Sequence, residues 1–162
     1  MVHQRDQYDG SASTLLVISV VVLLFTPGVF TQPATLSSQW DGVFTIEQAA
    51  RGRVAYAEHC SSCHGPDLRG VPQLVRYPGQ SASTPALIGD TFARNWEGLS
   101  LGDLHERIRT SMPQQNPGSI GSQTVSDILA FMLDSSGYPP GASELSSRRA
   151  DLGNVLLIKK NR

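Results

Sequence analysis

The 162 residues of this chain include only two cysteines, three methionines and four histidines. Two cysteines cannot make the disulfide framework that staples small secreted domains, nor a zinc site built from four thiolates. Charge is scarce too. With 17 % charged residues and a net charge of −1, the chain has neither a basic field for nucleic acid nor an acidic tail. The one uncharged apolar run, residues 15–25, falls short of the about 20 residues that a spanning helix needs, and approaches that length only with residues 13–30 counted in. Glycine and proline, by contrast, are plentiful at fifteen and ten. They concentrate in the middle of the chain and point to long loops wrapped around something that is not protein.

Both cysteines fall in one short stretch, Cys60-Ser61-Ser62-Cys63-His64. C-x-x-C followed directly by His is the attachment signature of c-type haem. Each thiol can form a thioether to one vinyl group, and the adjacent imidazole can reach the iron from one side. Two other readings compete. A thioredoxin-like pair needs C-x-x-C opening a helix after a strand, and here a helix precedes the motif. A zinc site needs about four ligands, yet His3, His59 and His105 form no spaced pair.

Residues 1–31 read as an export segment, either a cleaved signal peptide or a retained anchor. Arg5 is the only firm positive charge ahead of the apolar run, and Val29-Phe30-Thr31 is an acceptable cleavage site. Residues 32–43 read as a linker. Thr45-Ile46-Glu47-Gln48 then has the form of a capping box, with the Thr45 hydroxyl taking the Gln48 N–H and Gln48 reaching back. The spacing predicts a helix from Ile46 to about His59. Gly52 inside it costs about 1 kcal/mol relative to Ala, so it is either incidental or marks a close backbone approach. Tyr56 lies one turn later on the same face.

Together, Gly52, Tyr56, Cys60-x-x-Cys63-His64 and Gly65 resemble the start of a monohaem class I cytochrome c domain. The resemblance implies an all-α fold over residues 44–137, with N- and C-terminal helices crossing and the haem wrapped by long loops. It also implies one covalently bound haem c. Residues 66–85, without helical or strand period, read as the wrapping loop, where Leu68, Val71, Leu74, Val75 and Tyr77 can face the haem. Pro85-Ala86-Leu87-Ile88-Gly89 is similar to the family's Pro-x-Leu-x-Gly segment. That similarity places Pro85 and Leu87 at the cofactor, the proline carbonyl accepting from the ligating His; Pro72 is a second candidate for this role. Asp90 is the expected cap of a short helix holding Phe92 and Trp96. Trp96 is either core or, as the resemblance implies, a hydrogen-bond donor to a haem propionate.

Ser100 and Asp103 can start the next helix, and Leu101, Leu104 and Ile108 form its apolar stripe. Met112 extends that stripe, and Pro113 closes the helix. The stretch Arg107-Ile108-Arg109-Thr110-Ser111-Met112-Pro113 resembles the ligand segment of domains associated with quinoprotein dehydrogenases, which makes Met112 the sixth ligand opposite His64. His105 is the runner-up, read as facing solvent, while Met132 reads as core filler. Arg107 and Arg109 read as solvated charges or propionate partners. A last helix is expected from a Thr124 cap, with Val125, Ile128, Leu129, Met132 and Leu133 on one face and Phe131 reaching the Gly52/Tyr56 face. Residues 138–162 form an extension, in which residues 155–158 pack back as an irregular strand.

The expected function is one-electron carriage without catalysis at the iron, in the periplasm or on the periplasmic face of the cytoplasmic membrane. A quinoprotein dehydrogenase, a terminal oxidase or a photosynthetic complex is the expected partner. The alternative is a haem enzyme or gas sensor with a displaceable sixth ligand.

Overall fold

Thr45 is where extended chain turns helical. The computed structural model describes residues 35–71 and 84–159. Its elements, in chain order, are β1 (Ser37–Ser38), α1 (Ile46–His59), α2 (Ser61–His64), α3 (Gly89–Trp96), α4 (Leu101–Ser111), α5 (Ser122–Ser135), α6 (Arg149–Leu152) and β2 (Val155–Leu156). The apolar run of residues 15–25 and the loop residues Pro72, Leu74, Val75 and Tyr77 lie outside the described residues.

Thr45 Oγ1 accepts from the Gln48 N–H at 3.1 Å and starts α1 as expected. Gln48, however, does not reach back to close a capping box. Its side chain is buried and turns inward, Nε2 donating to Leu145 O at 3.1 Å and Oε1 accepting from the Leu145 N–H at 2.7 Å. The reason is burial: a backbone N–H and C=O cut off from water must find partners, and one amide side chain matches both.

The helices α1 and α5 cross at Gly52. A Cβ at this position would lie 1.8 Å from Asp127 O, so only a glycine lets the two backbones approach this closely. Arg51 clamps the crossing, with Nε and Nη2 at 3.1 and 3.2 Å from the Asp127 carboxylate and Nη2 at 2.8 Å from Glu144. One turn later the Tyr56 and Phe131 rings meet with centroids 5.4 Å apart. Val125, Ile128, Leu129, Met132 and Leu133 are all buried, as their periodicity predicts.

Two helix starts differ from expectation. α5 begins at Ser122 rather than after a Thr124 cap: Gly121 is its N-cap and the Val125 N–H already bonds to Gly121 O at 3.0 Å. The buried Ile120 anchors the chain just ahead, so this turn forms without a side-chain cap. α3 begins at Gly89, which places Asp90 inside the first turn, where its charge meets the helix dipole instead of capping it. In α4 the Ser100–Asp103 capping box is complete, and Leu101 and Leu104 are buried.

Residues 138–159 fold back onto the helices. Leu145, Leu152, Val155 and Leu157 join the same core as Tyr56, Leu104 and Ile128. β2 runs parallel to β1 with Ser37 opposite Val155, and the Gln39 amide continues the ladder by pairing with both backbone groups of Ile158. On its other side the Leu157 N–H donates to Leu99 O at 2.8 Å. α6 packs on α4 through Gly102, whose Cβ would come 2.8 Å from Arg149 O. Among the described residues, no helix is long and apolar enough to cross a membrane.

Candidate functional site

Cys60 ends α1 and opens α2. Its N–H bonds to Tyr56 O at 2.9 Å, and its carbonyl receives the N–H groups of Cys63 and His64 at 3.1 and 2.9 Å. One helical turn therefore carries Cys60, Cys63 and His64 at i, i+3 and i+4, the spacing of a single face. Both thiols are half-buried and neither is in a disulfide. Burial, and then the neighbouring Cys63, push the Cys60 thiol up to about 11. A thiol held protonated at neutral pH is not the activated nucleophile of a redox pair.

The turn is tied down on several sides. The Tyr56 hydroxyl donates to Gly65 O at 2.6 Å, and burial raises its ionisation far above the usual tyrosine range. The Gly70 N–H donates to His64 O at 2.8 Å. The Thr84 hydroxyl donates to Cys63 O and accepts from the Val71 N–H at 3.2 Å, joining the two ends of the intervening loop beside the motif. Nothing in its local pattern singles out Thr84; only its place just before Pro85 could have drawn attention. His64 Nδ1 lies 2.9 Å from Pro85 O. A carbonyl only accepts, so the ring proton sits on Nδ1 and Nε2 keeps its lone pair.

Met112 is half-buried at the end of α4, its N–H bonded to Ile108 O at 2.9 Å. The loop after it comes beside the motif, with Gln115 Nε2 4.0 Å from Cys63 Sγ. His105 does not face solvent. It is 1 % exposed, with Nε2 3.1 Å from Ser122 O. Because α4 is covered by α5 on one side and α6 on another, its buried arc is wider than one stripe and takes in Gly102 and His105. His59, half-buried, sits 3.9 Å from the Glu58 carboxylate, and Arg107 is exposed.

Cys60, Leu87, Ile88, Phe92, Trp96 and Ile108 are partly buried and packed against the core. A cavity of about 390 Å³ has Ile88, Phe92, Trp96, Leu104 and Met132 among its walls, while Cys60, Cys63, His64 and Met112 are not among them. The Phe92 and Trp96 rings stand 6.1 Å apart. Two thiols and an imidazole with an open nitrogen on one helical turn suit a macrocycle that carries a metal. Among the described residues, no three His, Cys, Asp or Glu side chains gather as a metal site, so the zinc alternative finds no ligand set there.

The family model for cytochrome c oxidase, cbb3-type, subunit III matches residues 47–132. The chain belongs to this family. It has the all-α class I cytochrome c fold, binds one covalently attached haem c, and works in haem-based electron transfer. Cytochrome c domains of this kind are usually exported and serve as electron-transfer modules. The match runs from α1 through most of α5 and includes the cysteine motif, Pro85, Trp96 and Met112, but not residues 138–159. No curated protein and no solved structure matches the chain.

Proposed function

We propose that this chain is a one-electron carrier between exported redox proteins, its single haem bonded through Cys60 and Cys63 and ligated by His64 and Met112. The contact between His64 Nδ1 and Pro85 O carries the reading. That hydrogen bond fixes the ring and its tautomer, makes Nε2 a better donor, and leaves Nε2 free for a metal. The bound group supplies a one-electron Fe(II)/Fe(III) couple. Met112 brings a soft thioether that favours the reduced metal and raises the potential. His64 and Met112 would together hold the iron and would leave no coordination position for a substrate, which separates a carrier from a haem enzyme or gas sensor. Leu87 and Trp96 contribute apolar wall, and the Trp96 indole N–H is a donor suited to a propionate.

The edge at Cys63, with Gln115 beside it, is the docking surface for a redox partner; such encounter interfaces are small and weak. The family's name favours a terminal oxidase as acceptor, and the resemblance of the segment around Met112 favours a quinoprotein dehydrogenase as donor. A photosynthetic complex would place the chain in an equivalent role. Residues 1–31, as signal peptide or anchor, put the domain in the periplasm or on its membrane face.

The test is an optical spectrum of the ferric holoprotein, made in a host competent for haem attachment. Haem should remain bound after denaturation. A red-edge Met-to-iron charge-transfer band should be present in the wild type and absent from Met112→Ala, and native protein should bind CO or cyanide poorly. Ready binding by the wild type, or a band that survives in Met112→Ala, favours the enzyme or sensor.

A further inference from the structure

His105 is 1 % exposed in the middle of α4, yet its Nδ1 has no partner among the described residues. Nε2 lies 3.1 Å from Ser122 O, and because that carbonyl only accepts, the ring proton sits on Nε2. Nδ1 is then a buried acceptor to which no described residue donates. An apolar ring of similar size would fill the same space without that penalty. What the imidazole adds is a tie between two helices. Ser122 is the first residue of α5, and the residues that join α4 to α5, 112–121, begin with Met112.

Apart from the contact of Gln115 Nε2 with Cys63 Sγ at 4.0 Å, this connection is held by short-range contacts. Asn116 N–H bonds to Pro113 O at 2.9 Å and Ser119 N–H to Asn116 O at 3.3 Å, while the buried Ile120 side chain anchors the far end. Residues 114–119 are exposed between these points. Segments with few buried contacts open locally at a lower free energy than the core. The His105–Ser122 bond spans the base of the loop, linking the helix that leads into it with the helix that leaves it.

We propose that His105 is a positioning residue that closes the base of the Met112 loop and so keeps the Met112 sulfur on the iron. The inference rests on the reading of Met112 as sixth ligand. Replacement of His105 should release Met112 without unfolding the domain, because α1, α5 and the tail keep their own contacts.

The experiment uses full-length ferric holoprotein in the wild-type, His105→Phe, His105→Asn and His105→Gln forms. Guanidinium titrations follow the Met-to-iron band and the far-ultraviolet helix signal in the same samples, and the rate of imidazole binding under native conditions reports Met112 displacement. In His105→Phe the band should disappear at clearly lower denaturant than the helix signal. Its imidazole binding should quicken by about five- to tenfold, the equivalent of one lost hydrogen bond. His105→Asn, too short to span the gap, should behave in the same way. His105→Gln, whose amide can donate to Ser122 O, should return both readouts toward wild type. The proposal is overturned if band and helix midpoints move together in both Phe and Asn variants, if neither moves, or if Gln fails to restore what Phe loses. A wild-type protein without the band overturns the Met112 reading itself, and so this proposal with it.

Discussion

Asp103 accepts from the Ser100 N–H at 3.0 Å and the Ser100 hydroxyl at 2.7 Å. The bond from the Ser100 backbone, and then that from its hydroxyl, hold the carboxylate below its ordinary range, with Arg149 adding to the effect. A group whose folded value is lowered contributes stability above its unfolded value, about 4 for Asp, and loses it as pH falls through the folded value. Asp103→Asn should therefore melt below wild type near neutrality, and the two melting curves should converge as acid protonates Asp103. Thermal unfolding followed across that range checks the sign; a gap that widens in acid would contradict it. This cap was legible because Ser and Asp three residues apart form a local pattern. The inward turn of Gln48 and the burial of His105 were not, since each depends on what packs against its helix.

Gly52 belongs to the helix crossing. Were it incidental, Ala would improve helix propensity by about 1 kcal/mol. With Asp127 O 1.8 Å from where the Cβ would stand, the backbones of α1 and α5 must instead move apart. Gly52→Ala should destabilise the holoprotein by about 2–3 kcal/mol, the scale of an overpacked contact, and weaken the Tyr56–Phe131 contact beyond it. Guanidinium unfolding gives both sign and size, and a stabilised variant would refute the packing account. The crossing was legible because a glycine inside a capped helix, an aromatic one turn later and a strong stripe on a second helix all follow the helical period. The N-cap of α5 lies three residues, most of a helical turn, ahead of the Thr124 cap that its sequence offers, because the buried Ile120, not a capping side chain, decides it.

On the scale of the whole molecule, the segment after α5 is as much a part of the core as the helices. Leu145, Leu152, Val155 and Leu157 are buried, and Gln48 gives both amide groups to Leu145. Each such side chain contributes about 1.5–3 kcal/mol on burial. Their sum approaches the about 5–15 kcal/mol by which a domain is stable. A chain ending at residue 143 should attach haem poorly and melt far below the full-length holoprotein, as calorimetry of both will show. Equal melting temperatures would mean that the tail merely decorates the domain.

The chain's order of residues determined the one-turn spacing of Cys60, Cys63 and His64, the extent of α1, and the apolar face of α5. Each follows from spacing within a turn or two of helix, where neighbours along the chain are also neighbours in space. Tertiary structure decided what meets across long separations: Gln48 with Leu145, β1 with β2, His64 Nδ1 with Pro85 O, and His105 with Ser122. Those pairings answer to buried backbone groups and to space between packed helices, and no local pattern records either.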